Sequence, residues 1–433
     1  MEIIISTLRS ICSAILFPPF VFILLIMLAI FYLKNKKRAA MQKMMVGGSV
    51  ESALELTLSQ FVFGVLGGII GSIILNLFGV VFNQNCRIEV LLIVSILLAA
   101  IKPSFVCFSY SASVLGLISN VLSIVDKITP GMDFTYISNM DILYIMIFVG
   151  VMHVVEGIIV FLDGHRGAFP ILIKKEDKIL GGYSLKRYWI IPLAIMIMGN
   201  MSNIYDYNGI YVLEIPNYWS MFKSQDQMDM LKTLFLSIIS FFAVVGYSSV
   251  TYTRTKREKA VSSGLYIFSY GILLIFVSQA ARIGISGEIF VVIFAPVAHE
   301  LMLKFQRDSE MKRKPKFVSD ENGLVVLEIG SDSKMKKFNM SINSKILSVN
   351  DQCIECEKDI YSILKSNLYK AVIKIEDCNG DIKEINYTHD NNRLGILLVP
   401  SHKKEKYKND LNNESRSFKN ILDDINRNKS DNN

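Results

Sequence analysis

The stretch FVVIFAPVAHELMLKFQRDSEMKRKPK, residues 290–316, changes character within a few residues and decides how the chain is organised. Up to Leu303 it is mostly apolar, whereas from Lys304 onward Lys, Arg, Asp and Glu dominate. Before this point, apolar runs recur at the length that a membrane-spanning helix requires, about 20 residues. After it, the composition is that of a water-exposed module. The sequence therefore predicts a helical membrane part followed by a soluble part.

The overall composition agrees with this division. The chain has 433 residues, of which 51% are hydrophobic, and a mean hydropathy of +0.38, which is too apolar for an ordinary soluble protein. The net charge of +7 comes from Lys and Arg clusters beside the apolar runs. Such clusters orient membrane helices and contact anionic headgroups, so we expect anionic lipids and no nucleic acid among the partners.

The apolar runs predict eight or nine transmembrane helices in residues 1–304. The runs cover residues 11–33, 61–82, 88–101, 104–125, 141–162, 188–199, 231–250, 264–281 and 288–303. The third run is short, and without it the number is eight. The loops rich in Lys and Arg are residues 34–43, 163–187 and 254–259, and they alternate with loops poor in both. By the positive-inside rule, these loops and everything after Lys304 are cytoplasmic.

The second run carries glycines at the spacing of close helix contact, Gly64 with Gly68 and Gly67 with Gly71. Small residues four apart let two helices approach closely. We favour packing within the chain, and a seam between two copies, hence a homo-oligomer, is the alternative.

Beyond the membrane part we expect a basic linker at residues 305–321, a β-rich domain at 322–400 and a disordered tail at 401–433. The predicted strands cover residues 324–329, 345–351, 371–376, 382–387 and 394–400, and a helix covers 359–365. Asn379-Gly380 is a strong signal for a tight hairpin turn. In the tail, four apolar residues at helical spacing form a candidate partner-binding helix: Phe418, Ile421, Leu422 and Ile425.

This domain resembles a bacterial PDZ domain. The resemblance rests on GLVV at residues 323–326, ILSVND at 346–351, VIKI at 372–375 and NGD at 379–381. PDZ domains bind an extended peptide as an added strand beside a helix. The resemblance implies a peptide groove formed by Leu394, Gly395, Ile396, Ile360, Ile363 and Leu364. The segment Arg393-Leu394-Gly395-Ile396 stands for the carboxylate-binding loop, at the domain end as in permuted bacterial PDZ domains, and both a free C-terminus and an internal segment stay open as ligands.

Ionisable residues in and beside the apolar runs need a separate explanation, because a charge in lipid is costly and is usually paired or functional. The candidates are His153, Glu156, Asp163, His165, His299 and Glu300. For His153 and Glu156 we favour an interhelical polar contact near the cytoplasmic interface; a ligand or partner pocket and a metal site are the alternatives.

Two alternative functions are weighed against these residues. A site-2-type intramembrane metalloprotease, or a degenerate relative, needs a His-Glu-x-x-His motif, but Leu303 stands where His299-Glu300 would require the second His. Asp163-Gly164 is similar to that family's Asp-Gly motif but precedes His299, which reverses the family's order. A transporter predicts repeated halves, and the sequence has no internal repeat. Cys353 and Cys356 form a lone C-x-x-C without further ligands. We therefore predict no catalytic residue, metal or cofactor.

The whole arrangement, a polytopic α-helical membrane domain followed by a small PDZ-like domain, resembles the MinJ-like proteins of low-GC Gram-positive bacteria. The stretch LDGHRGAFP, residues 162–170, is also similar to that family. MinJ-like proteins are topological determinants of cell division that connect DivIVA with MinD. The resemblance implies a non-enzymatic membrane scaffold, enriched at septa and poles, whose PDZ domain and inner loops recruit DivIVA-like and MinD-like proteins.

Overall fold

The chain forms two compact units. The computed structural model describes residues 1–18, 20–48, 50–83, 88–101, 105, 107–128, 140–175, 178–199, 219, 235–366, 370–388 and 394–401. The helical unit comprises Met1–Gln42, Ser49–Phe169 and Tyr183–Lys314, and the C-terminal unit comprises Lys43–Gly48, Pro170–Gly182 and the residues from Pro315 onward. The predicted tail, with its candidate helix, lies outside the described residues, as does Arg393.

The helices of the helical unit are α1 (Glu2–Leu16), α2 (Phe20–Val46), α3 (Ala53–Leu77), α4 (Ile88–Ile101), α5 (Phe108–Ile128), α6 (Ile142–Asp163), α7 (Lys256–Ser278) and α8 (Ile285–Lys312). A 3-10 turn, Gln279–Ile283, joins α7 to α8. Five of these helices, α3, α5, α6, α7 and α8, are long and apolar enough to cross a membrane. The pair α1 and α2, bent by 67°, adds a sixth if it counts as one span. A multi-pass helical part is thereby confirmed.

Side-chain caps fix where three of these helices begin. Ser52 and Asp141 accept hydrogen bonds from the third residue of α3 and α6, which satisfies an otherwise unpaired backbone N–H. Thr255 and Glu258 form a complete capping box at the start of α7. Among the five candidate membrane-spanning helices α6 is the most buried, with Met146, Phe148 and Val160 fully inaccessible, and it packs against α3, α5, α7 and α8.

Two of the predicted helices are strands instead. Residues 188–199 lie in β3 (Lys178–Gly199), and residues 231–250 fall largely in β4 (Phe235–Thr251). These strands pair antiparallel from Tyr183 opposite Thr251 to Gly199 opposite Phe235. Strand β1 (Val81–Asn83) runs parallel to β3. Because β3 is buried on both faces, its sequence is a continuous apolar run, which hydropathy alone does not distinguish from a membrane helix.

The sequence predicts eight or nine transmembrane helices, whereas in the part of the chain that the structure describes five helices, or six with the bent pair, are long and apolar enough to cross a membrane. The short third run does form a helix, α4, but its 14 residues extend only about 21 Å. That length is below the roughly 30 Å thickness of the hydrocarbon core.

The glycines of α3 pack within the chain. A Cβ atom on Gly64 or Gly68 would collide with the backbone of β3 at Ile190 or Pro192. On the neighbouring face of α3, a Cβ atom on Gly67 would lie 2.9 Å from Val155 of α6. These small residues therefore let α3 approach both β3 and α6, as the intramolecular interpretation requires.

The C-terminal unit contains one antiparallel sheet and one helix, close to the bounds that the sequence predicts. Its elements are β5 (Phe317–Val318), β6 (Leu324–Ile329), β7 (Lys345–Val349), β8 (Gln352–Cys353), α9 (Glu357–Ser366), β9 (Lys370–Glu376), β10 (Ile382–Thr388) and β11 (Ile396–Leu398). The strand order is β10-β9-β7-β6-β11, with β8 paired to β7. The predicted turn has Gly380 at φ +90°, a conformation that favours glycine.

The C-terminal unit begins earlier than predicted and includes a hairpin from a distant loop. Strand β2 (Phe169–Lys175) and the start of β3 form this hairpin, and Leu180 and Gly181 of β3 pair with β5. A Cβ atom on Gly181 would lie 2.6 Å from Val399 and 3.1 Å from Leu327, which are both fully buried. Helix α8 meanwhile continues to Lys312, so the predicted linker at 305–321 is mostly helix and strand.

Candidate functional sites

The predicted peptide-groove residues are core residues of the C-terminal unit. Among the five with side chains, Leu394, Ile396, Ile360, Ile363 and Leu364, none is more than 8% exposed. They belong to one buried cluster under the sheet. Their side chains face the core in this structure, and peptide binding at these residues stays a prediction. They hold helix α9 and strand β11 in place beside the core.

Strand β11 is an edge strand of its sheet. Gly330 donates its N–H to the Gly395 carbonyl at 2.7 Å, and Val399 donates its N–H to Val325 at 2.9 Å. Because backbone groups alternate in direction along a strand, this register turns the N–H and C=O of Ile396 and Leu398 away from β6. Among the described residues, no strand pairs with that outer side.

The turn before β11 is fixed to its surroundings. Gly395 adopts a φ of +70°, and Ser333 donates its hydroxyl to the Leu394 carbonyl at 2.7 Å. The Leu394 N–H donates to the hydroxyl of Tyr361, a residue of α9, at 3.0 Å. Lys358 and Lys365 lie one turn to either side of Tyr361 and are exposed. A strand edge beside a helix is the geometry that binds a peptide by strand addition, but Ile396 and Leu398 are only 1% and 4% exposed, so this edge is covered in the structure.

The helical unit brings together three residues that are far apart in sequence. Cys107 precedes α5, while His153 and His299 lie near the middle of α6 and α8. The Cys107 Sγ lies 3.0 Å from His153 Nε2 and 3.6 Å from His299 Nε2. All three atoms lie within 4.8 Å of one another. We call this group the Cys-His-His cluster.

Hydrogen bonds orient both imidazole rings of the cluster. His153 Nδ1 lies 2.7 Å from the Val149 carbonyl, which can only accept, so Nδ1 carries the proton. Tyr110 donates its hydroxyl to Glu300 at 2.6 Å and thus accepts from His299 Nδ1 at 3.1 Å. Both Nε2 atoms consequently present a lone pair on the side where the Cys107 sulfur lies.

Helix α7 closes one side of the cluster through Tyr270. Its ring centroid lies 4.8 Å from that of His153 and 5.4 Å from that of His299. The Tyr270 hydroxyl donates to the Ala295 carbonyl of α8 at 2.9 Å and also bonds with Ser109. Glu156 lies one turn after His153 on α6. The cluster is thus a buried polar site within an apolar helix bundle.

The other predicted polar residues belong elsewhere. Asp163 accepts hydrogen bonds from Arg187 at 2.6 Å and from Trp189 at 2.8 Å. It follows His153 by ten residues, which is about 15 Å along α6. The Asp-Gly motif therefore does not meet His299, as a site-2-type protease would require. His165 lies beyond the end of α6.

Cys107 is the member that sequence reasoning missed, because a single cysteine beside an apolar run carries no spacing signal. His153 lies near the middle of α6. Comparison of the chain with family models, curated proteins and solved structures finds no match.

Proposed function

We propose that this protein is a membrane-anchored scaffold whose C-terminal unit binds an extended segment of a partner protein, as a PDZ domain does. The observation that carries the proposal is the edge of β11, where the N–H and C=O groups of Ile396 and Leu398 face away from the sheet. Because Ile396 and Leu398 are almost fully buried, a peptide strand reaches this edge only after the chain that covers it moves away, and it then receives main-chain hydrogen bonds beside α9.

The C-terminal unit combines three separate segments of the chain, which supports a location of all three on one side of the membrane. Lys43–Gly48, Pro170–Gly182 and the residues from Pro315 onward belong to one compact unit although apolar helices separate them in sequence. Strand pairing between Leu180 and Val318 requires the loop after α6 and the C-terminal unit to be on the same side of the membrane. Because this loop is rich in Lys and Arg, the positive-inside rule favours the cytoplasm.

The cellular role that we propose is division-site placement, by the resemblance to MinJ-like proteins. In this proposal, the edge of β11 and the loops on its side of the membrane recruit DivIVA-like and MinD-like proteins at septa and poles. One small peptide site has modest affinity, and confinement to a membrane strengthens binding by raising the effective concentration of both partners.

Charge reversal beside the peptide edge tests the binding proposal. Lys358→Glu combined with Lys365→Glu places two acidic groups on the exposed side of α9 next to the turn before β11. We expect partner recovery from crosslinked cells to fall at least tenfold. Lys370→Glu, at an exposed position at the start of β9, is the matched control and retains recovery. Equal recovery from both variants would show that the edge of β11 is not the binding site.

Gly395→Trp is a poor probe of the same site. Gly395 has a positive φ, and a Cβ atom there would lie 2.9 Å from the Ser333 Cβ. A tryptophan would therefore distort the turn and the core as well as any bound peptide.

The division role is tested separately with a fluorescent fusion of the protein. We expect enrichment of the fusion at septa and poles, and a uniform membrane signal contradicts that role.

A further inference from the structure

We propose that the Cys-His-His cluster binds one transition-metal ion, and that zinc is the ion that its ligands favour. A thiolate sulfur with two imidazole nitrogens is a ligand set of zinc sites, whereas carboxylate and water ligands suit magnesium or calcium. The site lies in the helical unit and does not depend on peptide binding by the C-terminal unit.

The observed separations fit coordination by a single ion. With Zn–S near 2.3 Å and Zn–N near 2.05 Å, tetrahedral geometry places sulfur and nitrogen about 3.5 Å apart. The Cys107 sulfur lies 3.0 Å from one Nε2 atom and 3.6 Å from the other. All three atoms lie within 4.8 Å of one another, so a single ion between them would contact each after the side chains rotate toward it.

The number of protons available between the three ligand atoms also favours a bound cation. Two Nε2 lone pairs face one sulfur, but a thiol has a single proton and can donate to only one of them. The second lone pair is then left facing sulfur in a buried site, which is unfavourable. A zinc ion accepts both lone pairs and a thiolate, and Cys107 releases its proton to solvent on binding.

The net charge of a bound zinc ion and its ligands explains why a carboxylate, Glu156, stands in this apolar helix. A zinc ion with one thiolate and two neutral imidazoles has a net charge of +1. Glu156 lies one helical turn from His153 on the same helix. An isolated carboxylate within an apolar helix is costly. Beside the metal, its negative charge makes the group neutral overall.

The outer hydrogen bonds resemble those that orient metal ligands in known sites. Metal-bound histidines usually donate their second N–H to a carbonyl or to another acceptor. Here His153 donates to Val149, and His299 donates to Tyr110, whose hydroxyl is fixed in turn by Glu300. A purely structural polar contact does not need both rings to be held with Nε2 facing the sulfur.

Cobalt substitution of the full-length protein in detergent gives a direct test. Cobalt(II) bound by a thiolate has a sulfur-to-metal charge-transfer band. We expect about one cobalt per chain, with this band present in the wild type and in Cys12→Ser, an exposed cysteine of α1. Cys107→Ser should lose the band, and His299→Gln should lose most of the bound metal. His165→Gln, the histidine control, should retain it.

A graded variant separates metal binding from a general loss of folding. Tyr110→Phe keeps the ring but removes the hydroxyl that fixes His299, and we expect about tenfold weaker zinc binding. Added zinc should raise the Tm of the wild type and of Cys12→Ser, and should leave that of Cys107→Ser unchanged. The proposal is overturned if the wild type binds no stoichiometric metal, or if Cys107→Ser retains the band while removal of Cys353 and Cys378 abolishes it.

Discussion

A buried ion pair fixes the C-terminal end of α6 to strand β3. Asp163 accepts from both Nε and Nη2 of Arg187, and the side chains of both residues are fully buried. Arg187 also donates to Leu56 and Ser59 of α3, so one guanidinium connects three elements. Removal of one member of such a pair leaves a buried charge without compensation, which costs about 3–5 kcal/mol.

Asp163→Ala should therefore destabilise the helical unit by about that amount. The measurement is the denaturant midpoint of the purified protein in detergent, followed by tryptophan fluorescence, to which Trp189 contributes. Glu321→Gln, an exposed carboxylate in the C-terminal unit, is the control and should leave the midpoint unchanged. An Asp163→Ala midpoint equal to that of the wild type would show that the network has little energetic weight.

A second carboxylate makes the hairpin turn between β9 and β10 sensitive to acid. Hydrogen bonds from Lys383 and from the Asn379 backbone hold the pKa of Asp377 below its ordinary value of 3.8. The stability that this carboxylate contributes is present above its unfolded pKa and is lost as the pH falls through the lowered folded pKa.

We expect the Asn379 and Asp381 amides to lose protection from hydrogen exchange below about pH 4, after correction for the intrinsic pH dependence of exchange. In Lys383→Gln the loss should begin at a higher pH, because the largest cause of the lowered pKa is removed. Identical profiles for the two proteins contradict this assignment.

The residues of the Cys-His-His cluster were only partly predictable from the sequence. His153 and His299 stand out because ionisable groups are costly within apolar helices. Cys107 does not, since a free cysteine behaves as a small apolar residue. Convergence of the three depends on how α5, α6 and α8 pack, which no spacing along the chain records.

At the scale of elements, hydropathy predicted α3, α5, α6, α7 and α8 well and failed at β3 and β4. A strand buried on both faces lacks the alternation that marks a half-exposed strand. Local signals were nevertheless present. Strand β4 is rich in aromatic and β-branched residues, which favour strands. The length of an apolar run alone does not distinguish a strand buried on both faces from a membrane-spanning helix.

Gly181 is the position at which one added side chain should separate the 170–182 hairpin from the rest of the C-terminal unit. Gly181→Val places methyl groups against Phe317, Leu327 and Val399, and overpacking of this kind costs about 1–3 kcal/mol. We expect faster hydrogen exchange at Leu180 and Phe317. Lys178→Ala, at an exposed position of the same strand, is the control and should leave exchange unchanged. Unchanged exchange in Gly181→Val would mean that the hairpin does not pack there.

The molecule as a whole differs from a linear series of domains. Composition predicts a boundary near Lys304, because it records only where apolar runs end. The C-terminal unit instead assembles three separate segments, of which Lys43–Gly48 and Pro170–Gly182 precede that boundary. Pairing between β3 and β5 is a contact across more than a hundred residues, and neither strand carries a signal for its partner.

This assembly makes a prediction about membrane sidedness. Cys378 is exposed in the C-terminal unit, and Lys178→Cys places a second thiol at an exposed position of the hairpin in the same unit. Each should react with a membrane-impermeant maleimide only after the cells are permeabilised, if the unit is cytoplasmic. For each measurement the remaining exposed cysteines are replaced by serine. Labelling of the two thiols from opposite sides would contradict the pairing of β3 with β5, whereas labelling of both in intact cells would keep the pairing and reverse the orientation.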